Sequence, residues 1–161
     1  MRACVVFASR YGNTEKIAKA FAAGLGETGI EAVCVSAKDA TPESLEGFEL
    51  VCVGAPTEWH SASRGMKEFL GRMKGLDLSG RFGFAFDTRL SAPLSGSASK
   101  LIEKRLKKLG ATMVAHRESA FVHSQQGVKQ ASLETGEEER FRDLGRRIGS
   151  TVLSSQMPQL R

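Results

Sequence analysis

Short apolar runs that alternate with helically periodic segments constrain this chain more than any other feature. Residues 3–8 (ACVVFA) form a nearly continuous apolar run, the pattern of a strand buried on both faces of a parallel sheet. Residues 14–25 then place Ile17, Ala18, Phe21, Ala22 and Leu25 at helix spacing. The alternation repeats. Residues 31–35, 50–53 (ended by Gly54) and 82–86 read as strands, and residues 112–115 begin a fifth that resumes at 120–123 after an interruption at Arg117-Glu118. Residues 66–73, 97–109 and 137–153 read as helices, the last with Phe141, Leu144, Ile148 and Val152 on one face. Five βα units in a row imply an α/β fold with a five-stranded parallel sheet covered on both faces. Right-handed crossovers leave few ways to connect it.

The length of 161 residues suits one domain. That domain is expected over residues 1–155, with a frayed tail at 156–161. No apolar run approaches the roughly 20 residues of a membrane span, and the apolar stretch at the N-terminus is too short for a signal peptide, so cytoplasmic residence is the expectation. Cys4, Cys34 and Cys52 each sit inside an apolar run without CxxC spacing or a nearby His. They read as buried free thiols, and no metal site is expected. Gly24, Gly26 and Gly29 match GxGxxG but close a helix and precede a strand, whereas a dinucleotide fingerprint opens a helix after a strand. They read as a helix C-cap and turn. The acidic run Glu137-Glu138-Glu139 reads as helix stabilisation at an N-terminus.

In open α/β sheets, ligands bind beyond the carboxyl ends of the strands, at the switch in strand order. The loop after the first strand holds Ser9, Arg10, Tyr11, Gly12, Asn13 and Thr14. It leads straight into a helix, whose first N–H groups are unpaired and carry about half a positive charge. A phosphate there is stabilised by both effects. Ser9 and Thr14 add hydroxyls, Gly12 permits a tight turn, and Asn13, the chain's one Asn, can turn or cap. The alternative is a helix cap without a ligand.

Around these residues the stretch VVFASRYGNTEKIAKAFAAGL resembles the opening of flavodoxins. In that family a hydroxyl-rich loop holds the phosphate of flavin mononucleotide (FMN). The resemblance covers about residues 2–155 and implies a three-layer flavodoxin-like sandwich with strand order 2-1-3-4-5. It extends to the loop Gly54-Ala55-Pro56-Thr57-Glu58-Trp59-His60, similar to the family's G-x-P-T loop, and to Phe86-Asp87-Thr88-Arg89-Leu90 running on to Gly96. Trp59 can stack on the flavin ring or cap the core. His60 can lie near the ring edge or stand as an exposed loop histidine. Asp87 and Thr88 can hydrogen-bond the ring edge through side chain or backbone. Arg89 is placed to stabilise the reduced flavin, or to form a surface salt bridge. The family's acidic balance is absent, since the formal charge is +5, and Leu90 stands where relatives often carry an aromatic.

The resemblance implies a low-potential electron carrier that serves redox partner proteins. Two alternatives stay open. One is an NAD(P)H- or quinone-linked FMN reductase. The other is a non-redox module working through the basic helix of Lys100 and Lys108 (KLIEKRLKK). That helix reads as a solvated face or as a docking face for an acidic partner. Nucleic acid is not expected as a partner, because no aromatic residues interleave with the charges. Fewer carboxylates near the flavin ease the gain of negative charge. The second reduction step is therefore expected at a less negative midpoint than in acidic flavodoxins. Spectroscopic redox titration checks this, and an equal or more negative midpoint contradicts it.

Overall fold

A computed structural model describes residues 1–124, 126–127 and 130–156. In chain order its elements are β1 (Arg2–Phe7), α1 (Asn13–Glu27), β2 (Glu31–Ser36), β3 (Leu50–Glu58), β4 (Ser61–Ala62), α2 (Arg64–Arg72), β5 (Phe82–Leu90), α3 (Ala98–Lys108), β6 (Thr112–Met113), β7 (Glu118–His123), β8 (Ser132–Leu133) and α4 (Glu137–Gln156). The five long strands lie parallel in the order β2-β1-β3-β5-β7, the order expected when only they are counted. Two short strands, β4 and β8, are additional, and β6 is the first part of the expected fifth strand. β4 folds back on β3, β6 lies beside β5 ahead of β7, and β8 runs antiparallel to β7. The expected tail falls partly outside the described residues: Gln156 closes α4, and residues 157–161 are not described.

Several sequence expectations are corrected by tertiary contacts. There are four α-helices among the described residues, and a single 3-10 turn (Glu43–Leu45) joins β2 to β3 in place of a fifth. The last expected strand breaks earlier, between β6 and β7, and Glu118 belongs to β7. There the chain turns so that the Arg117 N–H and guanidinium both reach Glu103 (3.3 and 3.5 Å). Gly54 does not end β3. A Cβ at this position would lie 2.1 Å from the Phe86 ring, so glycine lets the neighbouring strand's phenylalanine pack across the backbone. β3 and β5 consequently pair on through Ala55↔Asp87 and Pro56↔Thr88.

Apolar layers cover both faces. On one side α2 and α3 bury Met66, Phe69, Leu70, Ile102 and Leu106 against the sheet. On the other, α1 and α4 bury Ile17, Phe21, Leu25, Phe141 and Ile148. Phe21 stacks on Phe84 with centroids 5.1 Å apart, and Phe86 meets Phe141 at 5.8 Å. Such pairs add about 0.5–1.5 kcal/mol each beyond area burial. Cys4 and Cys52 are buried, and burial pushes the Cys4 thiol up to about 12 and raises Cys52 as well. Cys34 is only half-buried because β2 is an edge strand.

Gly24 is not a cap. It lies inside α1, where a Cβ would come 2.0 Å from the Arg142 carbonyl oxygen, and a Cβ added to Gly145 of α4 would come 2.2 Å from the Phe21 carbonyl oxygen. Small residues on both helices let the backbones touch. Glu27 at the end of α1 then accepts hydrogen bonds from Arg142 and Arg146 of α4. Of the three glycines only Gly29, at φ 93°, makes the left-handed turn.

Gly24→Ala should therefore cost about 1–3 kcal/mol by overpacking, although alanine is the better helix former. Gly26→Ala, two residues on with nothing within 4 Å of the added carbon, should stabilise by up to about 1 kcal/mol. Urea unfolding of the two variants checks the opposite signs. Glu137 supplies a second test. It is buried at the start of α4 and accepts from the Phe121 N–H (2.7 Å) and from Arg140 (2.8 Å). Burial pushes its carboxyl up, but these hydrogen bonds outweigh it and hold the group below its ordinary value of 4.5. A carboxylate held low in the fold stabilises above that ordinary value and loses the contribution as the pH falls through its folded value. Glu137→Gln should cost roughly 1–3 kcal/mol at neutral pH. The gap to the parent should close on acidification below 4.5.

Candidate functional site

Between β1 and α1 the chain turns through Gly12 at φ 90°. The Ser9 Oγ accepts hydrogen bonds from the N–H groups of Gly12 (3.0 Å) and Glu15 (3.4 Å). A hydroxyl has two acceptor positions and one proton. With both positions taken by backbone, the Ser9 O–H is left to donate. Gly12 gives α1 no side-chain cap, and a Cβ on it would meet nothing within 4 Å. The N–H groups of Asn13 and Thr14 open the helix and so have no intrahelical partner. A concave, open seat thus carries backbone donors, a hydroxyl proton with no acceptor among the described residues and the positive end of a helix dipole. Asn13 neither turns nor caps through its side chain. Its Nδ2 donates to the Ala131 carbonyl at 2.7 Å and ties this seat to the chain beyond β7. Thr14 is buried and shares a 2.8 Å hydrogen bond with the Thr88 hydroxyl of β5.

The second loop is a β-hairpin. Glu58 pairs with Ser61, leaving Trp59 and His60 as its two-residue turn. Both have positive φ, 49° and 66°. A turn with two left-handed residues matches the twist of a hairpin, and Asn-Gly is its usual sequence. Trp and His in these places cost on the order of 1–2 kcal/mol each. Trp59 is 95% exposed, so it does not cap the core. The turn is pinned by Gly96, which bridges to His60; a Cβ there would lie 2.4 Å from the His60 backbone. Strain spent to hold a large aromatic in solvent is characteristic of a ligand clamp.

The end of β5 divides its side chains between the two faces. Asp87 is fully buried beneath the site. Its Oδ2 accepts from the Ser97 hydroxyl (2.7 Å), the Ser99 N–H (2.9 Å) and the Thr57 hydroxyl (3.3 Å). Thr57 in turn accepts from the Ala98 N–H at 2.9 Å. Asp87 therefore clamps the second loop to the start of α3, and its Oδ1 is buried with no partner among the described residues. Arg89 forms no surface salt bridge among the described residues. Its guanidinium donates to the hydroxyls of Ser119 (3.0 Å) and Ser95 (3.1 Å) and to the Gly96 carbonyl (3.1 Å).

These loops enclose a cavity of about 200 Å³ walled by Ser9, Arg10, Tyr11, Asn13, Thr14, Pro56, Thr57, Glu58, Thr88, Arg89 and Leu90. A larger hollow of about 650 Å³ adjoins it through Ser9, Arg10, Pro56 and Glu58 and reaches Gly12. Arg10 and Glu58 face each other across the rim at 4.0 Å. Trp59, His60 and Gly96 stand outside the walls and Asp87 below them. Sequence reasoning missed Val122 and Ser124 at the end of β7 and Ala131 just before β8, which close the cavity. The rule that ligands lie beyond strand ends applied to β7 too, but only the fold reveals the contact with Asn13. The donor set fits FMN. It offers an anion seat at one end, threonine hydroxyls along the wall, and an exposed indole beside the mouth.

A family model described as Flavodoxin matches residues 5–143. Among solved structures, the chain is similar to a flavodoxin from the domain Archaea, with a TM-score of 0.79 and 23% identity over 95% of this chain and 99% of that one. It is similar to flavodoxin 1 from Bacillus cereus, with a TM-score of 0.79 and 21% identity over 98% of this chain and all (100%) of that one. A third, rubredoxin oxygen:oxidoreductase from Desulfovibrio gigas, has a TM-score of 0.78 and 19% identity over 98% of this chain, which spans 37% of that longer protein. The family match spans most of the sequence and includes all three loops of the site. The chain belongs to the flavodoxin family of FMN-binding electron-transfer proteins.

Proposed function

We propose that this protein is a one-electron shuttle that holds FMN in the cavity between its three loops. FMN bound there supplies reversible one- and two-electron redox chemistry. The observation that carries the reading is the open seat at the start of α1, where, among the described residues, Ser9 accepts two backbone hydrogen bonds and donates none and the first helical N–H groups have no intrahelical partner. Ser9 and the N–H groups of Asn13 and Thr14 hold the phosphate, and Arg10 adds positive charge beside it. Gly12 keeps the backbone close. Tyr11, Pro56, Thr57, Glu58, Thr88 and Leu90 line the remainder. Trp59 stacks on the ring, and the strained turn with His60 keeps it there. Asp87 and Gly96 hold the second and third loops in register. Arg89, with no carboxylate within 4 Å among the described residues, supplies positive charge that favours the reduced, more negative form of the cofactor.

No helix among the described residues is long and apolar enough to cross a membrane. The free thiols suit a reducing compartment, which supports a cytoplasmic setting. The partners are redox proteins, and the chain's formal charge of +5 favours acidic ones.

Purified protein reconstituted with FMN should be yellow, absorbing near ~450 nm as flavins do, and should not oxidise NAD(P)H at a useful rate. Flavin fluorescence titration should show FMN binding more tightly than riboflavin, which lacks the phosphate. Ser9→Ala should weaken FMN by roughly tenfold, the worth of about one charge-assisted hydrogen bond, and leave riboflavin unchanged. Equal affinity for the two flavins would remove the phosphate seat, and rapid NAD(P)H turnover would favour a reductase.

A further inference from the structure

The ends of α2 and α3 meet beside the amino end of β5, at the opposite end of the sheet from the loops of the cofactor cavity. Between them lies a hollow of about 500 Å³ that shares no residue with that cavity or its neighbour. Its floor is apolar, with Leu70, Leu76 and Leu109. Its rim is cationic, with Lys74 just after α2 and Arg105 and Lys108 in the last turn of α3. Asp77 is the acid in the wall, and its carboxylate accepts the Ser79 N–H at 2.9 Å. Three cations and one carboxylate thus border an apolar surface.

Cations at a helix C-terminus ordinarily cap its carbonyls and offset its dipole. Here the carbonyls are closed by backbone. Gly110, at φ 99°, donates to the Lys107 carbonyl (3.0 Å), Ala111 to that of Leu106 (3.1 Å) and Leu78 to that of Leu109 (2.7 Å). At the end of α2, Met73, Lys74 and Leu76 donate to the carbonyls of Phe69, Gly71 and Met73. The other two helices, α1 and α4, end without a basic residue in the last turn. Nor are these cations paired. Among the described residues, none of Lys74, Arg105 and Lys108 lies within 4.0 Å of a carboxylate, whereas on the same helices Arg64 pairs with Glu68 and Lys107 with Glu103. The acids of the segment before β3 (Asp39, Glu43, Glu46 and Glu49) do not line the hollow, and Arg72 and Arg81 donate to carbonyls of that segment. Every exposed side chain of α3 is a cation, and Lys104 and Lys108, four residues apart, form a like-charge pair that weakens a helix. Positive charge is kept here against local preference.

We propose that this hollow binds a small amphiphilic anion, a carboxylate on a short aliphatic chain. The chain lies on the three leucines, where each methylene taken from water adds to affinity. The head sits among Lys74, Arg105 and Lys108, and the planar fork of Arg105 matches two carboxylate oxygens. Asp77 weakens the pull on a bare anion, so the apolar part of the ligand is needed as well as its charge. The site is independent of the flavin reading, because it shares no residue with the cofactor loops.

Octanoate, 1-octanol and acetate separate the two contributions. Isothermal titration calorimetry on the full chain, with and without FMN, should show saturable octanoate binding of equal strength in both forms. Hexanoate should bind more weakly by about threefold or more, and 1-octanol and acetate by roughly tenfold or more. In amide NMR spectra octanoate should shift Gly75 and Gly110, which line the hollow, and leave Gly12 to Thr14 unmoved. The triple variant Lys74→Gln, Arg105→Gln, Lys108→Gln should lose roughly tenfold in octanoate affinity. The triple variant Lys67→Gln, Lys100→Gln, Lys104→Gln removes equal charge from the same two helices outside the hollow and should bind octanoate like the parent. Absence of octanoate binding, equal binding of 1-octanol, shifts centred on Gly12 to Thr14, displacement by FMN, or equal losses in the two triple variants overturns the site. Sedimentation with phosphatidylglycerol vesicles in place of octanoate binding also overturns it and makes the face a membrane-binding one. A chain that binds octanoate at Gly75 and Gly110 but takes no FMN overturns the carrier reading alone.

Discussion

The position of α1 is the constraint on which the rest of the structure depends. Phe21 stacks on Phe84 of the sheet, and Gly24 and Gly145 let α1 and α4 touch backbone to backbone. These contacts leave α1 little freedom to slide or rotate. Its first turn is thereby fixed beside the end of β5, where Thr14 meets Thr88. An anion seat made of backbone N–H groups is useful only when the helix that owns it is immobile relative to the groups that hold the rest of the ligand. The packed core and the open start of α1 are thus one mechanical unit.

A second unit holds the other two loops. Asp87 joins Thr57 to the start of α3, and Gly96 pins the Trp59-His60 turn. Both ties run between loops that are distant in sequence but adjacent in the sheet. The left-handed Trp59 and His60 would relax in an isolated hairpin, and it is the fit against Gly96 that keeps them strained. The scaffold so holds a tryptophan in solvent and a guanidinium that, among the described residues, is hydrogen-bonded only to neutral groups.

The sheet and the helices on each face were legible in the sequence, because apolar periodicity reports burial directly, whereas the main strand order followed only from the resemblance to flavodoxins. The open helix start after β1 was legible too, since Ser9 to Asn13 lie next to one another in the chain. What went unread depended on distant neighbours. Gly54 looked like a strand end because a phenylalanine 32 residues away was invisible. Gly24 looked like a cap because its partner lies on another helix. The side chain of Asp87 looked like a ligand contact but is a buried clamp.

By itself, then, the sequence determined an α/β sandwich with an anion-ready helix start after its first strand. Local patterns suffice for that, because period and capping chemistry act over a few residues. Only the tertiary structure decided which side chains face the cavity, which hold the loops, and which are left over at the surface. Those outcomes rest on contacts across the sheet, where direction and register, rather than residue type, decide whether Asp87, Arg89 or Trp59 meets a ligand, a neighbour or water.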